Sequence, residues 1–290
     1  MIEIPFFFDI KNLVNDLKIM SWEAADILLH YSQEIKKFKQ KNKIIQFKGK
    51  NDPVTLADLR VNELIIKRIR EKYSEEDCNI LSEESENIDS KSLLSKSEWL
   101  WILDPLDGTK DFIQGTGNYA MHLALNYRNK PFLGVVLLPS ENELWIAYEG
   151  RVWCERKDGS YLQTININKK KNLENMKIVT SKNHRNKILE NIISKVNFKE
   201  RIIMGSIGCK IASIVRGESD IYMSLSLPDS SAPKDWDFAA PEIILKAAGG
   251  AITNLDNQDL SYNQTNFEQR GIIIASNNRQ KHKSTCLEIK

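Results

Sequence analysis

The chain has 290 residues, of which 41% are hydrophobic and 28% charged, and its formal net charge is +2. That length suits one large domain or two lobes, and the near-neutral balance gives no mark of a nucleic-acid or membrane-surface binder. No apolar run approaches the ~18 residues of a membrane span, so no membrane span is expected.

The first ten residues, M-I-E-I-P-F-F-F-D-I, are apolar but acidic and lack a basic leader, so they are expected to dock on the fold and not to act as a signal peptide. Cys78, Cys154, Cys209 and Cys286 are far apart, without C-x-x-C spacing, as expected of reduced thiols in a cytoplasmic protein. From Leu13 to Phe38 apolar side chains recur at helical spacing (Leu13, Leu17, Met20, Ala24, Ile27, Leu28, Tyr31, Ile35), which predicts a long amphipathic helix. The basic run at 36–43 reads as its solvated end, favoured by the helix dipole.

Phe47 to Asp58 reads as a loop, marked by Gly49, Asn51 and Pro53. Thr55 or Asp52 is placed to cap a following helix with Leu59, Leu64, Ile65 and Ile69 on its buried side and Asp58 in its first turn. Ile80 and Leu81 form a brief strand that ends in Glu83 and Glu84. The Ser-rich stretch beyond, to about Ser97, reads as exposed loop and short helix.

Leu100 to Leu103 is a continuous apolar run, as in a strand covered on both faces. Pro105 disfavours helix at Asp104 and cannot donate a ladder hydrogen bond, so the strand is expected to stop at Asp104. Asp107 follows, then Gly108, which permits a left-handed turn, and Thr109, a good helix cap. Two strands would thus deliver acids to one sheet edge, where carboxylates suit Mg²⁺ and free backbone N–H groups suit a phosphate.

Tyr119 to Cys154 reads as an antiparallel meander with runs at Met121–Tyr127, Phe132–Leu138, Leu144–Tyr148 and Arg151–Cys154. A polar stretch at 155–175 marks a boundary, giving an N-terminal α+β lobe at 1–160 and a C-terminal lobe at 161–290. In the latter, strands are expected at Lys177–Thr180, Arg201–Met204, Asp220–Ser224, Ala251–Asn254 and Gly271–Ala275. They alternate with helices at Asn183–Lys195, Cys209–Arg216, Asp235–Ala248 and Asn277–Ile289, an α/β pattern.

The string D-P-L-D-G-T-K-D-F at Asp104–Phe112 resembles the first signature of the inositol monophosphatase superfamily of Mg²⁺-dependent, Li⁺-sensitive phosphatases. D-W-D-F-A-A-P-E-I-I-L-K-A-A-G-G at Asp235–Gly250 resembles the second, and S-E-E at Ser82–Glu84 with P-V-T-L-A-D at Pro53–Asp58 completes the set. Four motifs in the family's order cover most of the chain. The resemblance implies a layered α-β-α-β-α sandwich, of mixed α+β and α/β character. Within the superfamily, Lys110 after the Thr, T-S-K-N-H at Thr180–His184 with Lys182 in the branch's Arg position, and G-S-I-G-C-K at Gly205–Lys210 are similar to the 3′(2′),5′-bisphosphate nucleotidases. Those enzymes take the 3′-phosphate from 3′-phosphoadenosine 5′-phosphate, and the related phosphosulfate is a further candidate substrate.

The resemblance places Glu83, Asp104, Asp107, Asp237 and the Leu106 carbonyl around two Mg²⁺ ions, with Asp104 bridging and a third ion near Glu83 and Asp58. It makes Asp58 and Thr109, with Glu83, the catalytic set that takes a proton from the attacking water, and Gly108 and Thr109 the phosphate holders. Ser206, Lys182, His184 and Lys210 become substrate contacts, the lysines as point-charge partners of a second phosphate. Trp236 either packs the helix start at Asp237 or lines the site. Members are monomers or homodimers. The competing readings are an inositol monophosphatase or sugar bisphosphatase, and a non-catalytic nucleotide sensor, against which the intact carboxylate set argues.

Overall fold

A computed structural model describes residues 9–37, 45–49, 52–73, 78–85, 98–162, 171–182, 186–264 and 266–290. Five layers follow from where the apolar side chains point. The first helix, α1 (Ile10–Lys37), buries Leu13, Leu17, Met20, Ala24, Leu28 and Ile35 along one stripe. It packs beside α2 (Leu56–Arg70) on one face of a seven-stranded sheet. That sheet comprises β3 (Asn79–Ser82), β4 (Trp99–Asp107), β5 (Ala120–Tyr127), β6 (Lys130–Leu138), β7 (Glu143–Tyr148), β8 (Arg151–Glu155) and β9 (Tyr161–Leu162), in sequence order. Only β3 and β4 run parallel; every other pairing is antiparallel, so the expected meander is present.

Because strand side chains alternate in direction, β4 serves two cores. Trp101 and Leu103 join α1 and α2, while Leu100 and Ile102 face the opposite way. There they meet α5 (Ile207–Val215) and α6 (Asp235–Ala247), which form the middle layer. The same core takes Val179, Tyr222, Ile273 and Ala275 from the second sheet. This sheet has the order β11 (Glu200–Met204), β10 (Lys177–Ser181), β12 (Ile221–Ser226), β14 (Gly271–Ser276), β13 (Ala251–Asn254). On its far face Ile178, Ile221 and Ile274 pack on α4 (Lys187–Val196) and α7 (Arg279–Ile289). The arrangement is the layered α-β-α-β-α sandwich, and all four cysteines are buried within it as thiols, with no disulfide among them.

Several local expectations need correction. The segment read as a loop before Asp58 contains a two-stranded antiparallel hairpin, β1 (Ile45–Gly49) with β2 (Asp52–Thr55), because its Gly and Pro residues sit in a short ribbon with a register shift. Strand β4 does not stop at Asp104. Its pairing with β5 skips residues 105 and 106 and resumes at Asp107 opposite Ala120, so Pro105 occupies a bulge, where no ladder N–H is needed. Leu59 is exposed and Leu64 only partly buried; the inner stripe of α2 is Ala57, Val61, Ile65 and Ile69, and the small Ala57 hides its phase. Helix α4 begins at Lys187 under an Asn186 cap, later than expected. Residues 1–8, 38–44, 86–97 and 183–185 carry the expected N-terminal docking segment, part of the basic run, the Ser-rich loop and His184; these lie outside the described residues.

Candidate active site

Parallel pairing of β3 and β4 puts Ser82 opposite Leu103, so the residues that follow, Glu83 and Asp104, emerge side by side. The bulge then turns β4 and sets Asp107 beside Asp104. Asp237 reaches the same point from the first turn of α6, where its Oδ2 accepts the Lys234 backbone N–H at 2.6 Å. The carboxylates of Asp104, Asp107 and Asp237 each offer an oxygen within 4.8 Å of the others. Asp104 is buried, and a local hydrogen bond orients it: the Leu106 N–H donates to Asp104 Oδ1 at 3.0 Å.

Such a cluster is electrostatically unfavourable on its own. Burial, then the neighbouring charges of Glu83, Asp107 and Asp237, hold the Asp104 carboxyl well above the usual carboxylate range. Burial followed by the Asp107 charge raises Asp237. Two unit charges 4.8 Å apart repel by about 3 kcal/mol at an effective dielectric near 20, so these acids either hold protons or a cation. Hard carboxylate and carbonyl oxygens are the donor set that fits Mg²⁺, and Leu106 lines the same cleft.

Beyond the bulge, α3 (Thr109–Gln114) starts from Gly108, not from a Thr109 cap as expected. Gly108 has φ +88°, and a Cβ there would stand 2.8 Å from the Asn118 carbonyl oxygen, so no other residue fits without strain. Thr109 is therefore the first helical residue, and its hydroxyl is free for other work. It lies 3.1 Å from the Leu106 carbonyl and 3.5 Å from Asp58 Oδ1. Asp58 is held in turn by a capping box: its Oδ2 accepts from the Thr55 N–H at 2.8 Å and the Thr55 hydroxyl at 2.6 Å, leaving Oδ1 toward Thr109. Burial outweighs these hydrogen bonds and raises Asp58 to about 7.

Glu83, Asp104, Asp107, Gly108, Thr109 and Asp237 line a cleft of about 710 Å³ that also contains Lys110, Lys182, Lys210, Lys234 and Trp236, within the ~300–1,000 Å³ typical of small-ligand sites. Trp236 does both things foreseen for it, packing in the middle-layer core and lining the cleft. Lys210 is buried, not a solvated helix start: its ammonium donates to the Gly205 carbonyl and lies 5.4 Å from the centre of the Tyr222 ring. Lys182 is exposed and paired with Gln114. Ser206 is buried as the cap of α5; its hydroxyl donates to Asp107 Oδ2 at 2.6 Å and accepts the Cys209 N–H at 3.2 Å. Sequence reasoning missed His122, Asp111, Ser181, Tyr222 and Ser224. Asp111 and Ser181 stood unassigned inside D-P-L-D-G-T-K-D-F and T-S-K-N-H, and His122 left a signal as a charged-capable residue inside the apolar strand M-H-L-A-L.

A model of the inositol monophosphatase family matches residues 13–289. Among curated relatives, a 3′(2′),5′-bisphosphate nucleotidase CysQ from Buchnera aphidicola is 30% identical over 262 residues, covering 90% of this chain and 93% of that one. The corresponding protein of Aggregatibacter actinomycetemcomitans is 29% identical over 83% of this chain and 87% of its own. Among solved structures, CysQ from Bacteroides thetaiotaomicron superposes with TM-score 0.68 at 25% identity, covering 88% of this chain and 94% of that one. The extragenic suppressor protein suhB from Bartonella henselae gives TM-score 0.75 at 23% identity over 96% and 98%, a likeness of fold.

Proposed function

This chain belongs to the inositol monophosphatase family, and from that premise we propose that it is a Mg²⁺-dependent 3′(2′),5′-bisphosphate nucleotidase that converts 3′-phosphoadenosine 5′-phosphate to AMP. The observation that carries the reading is the convergence of Asp104, Asp107 and Asp237 beside the Thr109–Asp58 pair, in a cleft that also holds Lys182 and Lys210. The similarity to curated nucleotidases supports the choice of substrate class. No helix among the described residues is long and apolar enough to cross a membrane.

Glu83, Asp104, Asp107, Asp237 and the Leu106 carbonyl would hold the cations. Two or three bound Mg²⁺ ions supply positive charge that activates water and neutralises the phosphate oxygens of an in-line displacement. The residues do the rest. Thr109 Oγ1 takes a proton from the attacking water and passes its own to Asp58 Oδ1, the oxygen that Thr55 leaves open. The Gly108 and Thr109 N–H groups hold the scissile phosphate. Lys182 and Lys210 pair with the second phosphate, with His184 two positions after Lys182 in sequence as a further contact, while Ser206 acts through Asp107. Glu83 completes the acid set next to Asp104.

The regiochemistry tests this directly. With 3′-phosphoadenosine 5′-phosphate in ¹⁸O-water, the expected products are AMP carrying its 5′-phosphate and one ¹⁸O in the released phosphate. Release of adenosine 3′-phosphate would place the second phosphate, not the first, at the carboxylates and contradict the assignment.

A further inference from the structure

Three segments of the chain meet at one imidazole that the chemistry above does not use. His122 is buried on β5, directly opposite Asp104 in the antiparallel register with β4. Its Nδ1 lies 3.3 Å from the Trp236 carbonyl oxygen. Its Nε2 lies 3.3 Å from Asp107 Oδ2. Trp236 immediately precedes Asp237, so the ring spans the two segments that carry two of the clustered acids.

The other contacts of Asp107 converge on the same oxygen. Asp107 Oδ2 accepts from the Ser206 hydroxyl at 2.6 Å and from the N–H groups of Ile207 and Gly208, the latter at 3.1 Å. With Oδ2 fixed by hydrogen bonds from the start of α5 and with the His122 ring lying 3.3 Å away on its other side, the carboxylate cannot rotate freely, and Oδ1 is the oxygen left for the cluster. Gly208 is matched to the imidazole. A Cβ at 208 would sit 2.4 Å from His122 Nε2. Only glycine lets the ring come so close, and the Gly in G-S-I-G-C-K thereby has a physical partner 86 positions earlier in the chain.

We propose that His122 is a positioning residue: a brace between Asp107 and the Trp236 carbonyl that fixes the spacing of Asp107 and Asp237, and through it the affinity of the site for its divalent cation. The proposal rests on reading those acids as cation ligands. Like-charged carboxylates drift apart unless something holds them, and a rigid buried ring, hydrogen-bonded to the Trp236 carbonyl at Nδ1 and lying against Asp107 Oδ2 at Nε2, limits that movement. Groups that orient metal ligands typically account for 10–100-fold in metal affinity.

The test is Mn²⁺ binding to the substrate-free protein, followed by electron paramagnetic resonance, in the parent, His122→Leu, His122→Gln and Gly208→Ala. Leu fills the space without polar contacts, Gln keeps an amide that can donate to the Trp236 carbonyl as Nδ1 does, and Ala at 208 pushes the ring away from Asp107. The expected result is affinity about tenfold or more weaker in His122→Leu and Gly208→Ala, with most of the loss restored in His122→Gln. Parent-like Mn²⁺ affinity in His122→Leu overturns the proposal. So does a Leu loss that Gln leaves untouched while the metal-free melting temperatures of both fall equally, since that is a packing role. If His122→Leu fails to fold, Gly208→Ala decides alone: parent-like binding there overturns the proposal. Absence of Mn²⁺ binding in the parent overturns the cation reading and this inference together, whereas unaltered binding in the variants overturns the inference alone.

Discussion

The Thr109 hydroxyl stands 3.5 Å from Asp58 Oδ1, although 51 positions separate the two residues. One sits on the first turn of a six-residue helix and the other on the first turn of α2, and each is placed by its own local device: the left-handed Gly108 and the Thr55 capping box. If this pair handles the proton of the attacking water, Asp58→Asn and Thr109→Ala each lower kcat by about 10²–10⁴, the usual weight of general acid–base catalysis. Thr109→Ser, which keeps the hydroxyl, retains most of the rate. Steady-state kinetics on the nucleotide check this. A fall in kcat/KM caused only by a higher KM would assign the pair to binding.

Metal removal has a definite sign. Burial and mutual repulsion raise Asp104 and Asp237 above the usual carboxylate range. For an acid raised on folding, stability is full below its unfolded pKa and is lost as pH rises through the folded one. The metal-free protein therefore loses stability on going from acid toward neutral pH, and a bound cation cancels that loss. Mg²⁺ is expected to raise the melting temperature more at pH 8 than at pH 6, and chelator to reverse it, by differential scanning fluorimetry. An equal shift at both values would mean that the cation does not act on these carboxylates.

A second pH effect lies far from the cleft. His282 is buried between the Thr253 hydroxyl, 2.8 Å from Nε2, and the Ser276 hydroxyl, 2.6 Å from Nδ1. Burial, with the charge of Lys246, lowers it from 6.5 to about 4. The unfolded chain takes up this proton first, so the neutral ring stabilises the fold above pH 6.5, and that contribution is lost as pH falls toward 4. The shift corresponds to about 3 kcal/mol. Urea unfolding of parent and His282→Gln at pH 7 and pH 4.5 isolates the histidine, because the carboxylates are common to both. The parent should lose about 2 kcal/mol more over that interval; equal losses would show that the ring is not held neutral.

The parts of this molecule that were legible in the sequence are those whose signal is local. Asp104, Asp107, Gly108 and Thr109 stand within six residues, Asp237 announces itself beside a tryptophan at a helix start, and the meander strands are long apolar runs bounded by turns. What failed was decided elsewhere in the fold. Pro105 is a reliable strand stop only when its N–H is needed, and the bulge opposite β5 removes the need. Thr109 looked like a cap because its hydroxyl suits that place, which Gly108 takes with its backbone alone and no side-chain hydrogen bond. The place of His122 beside Asp107 is set by strand register and by Gly208, both decided far from residue 122 in the chain. Leu59 misled because its hydrophobicity was visible while the smaller Ala57 on the true inner stripe was not.

Lys210 separates the nucleotide reading from a generic phosphatase. Its buried ammonium rests on the Gly205 carbonyl and near the Tyr222 ring, inside the cleft. If it pairs with the second phosphate, Lys210→Met raises KM for 3′-phosphoadenosine 5′-phosphate by about 10–100-fold, the weight of a charged hydrogen bond. Turnover of a substrate with a single phosphate changes little. Equal losses on both substrates would make Lys210 a packing residue.

The measurement that bears most directly on the central claim is Mg²⁺-dependent phosphate release from 3′-phosphoadenosine 5′-phosphate, inositol 1-phosphate and fructose 1,6-bisphosphate in parallel, with the parent and with Asp104→Asn. The expected result is a strong preference for the nucleotide, abolished in Asp104→Asn and inhibited by Li⁺. Preference for inositol 1-phosphate, or Mg²⁺-independent release that survives Asp104→Asn, would contradict the account.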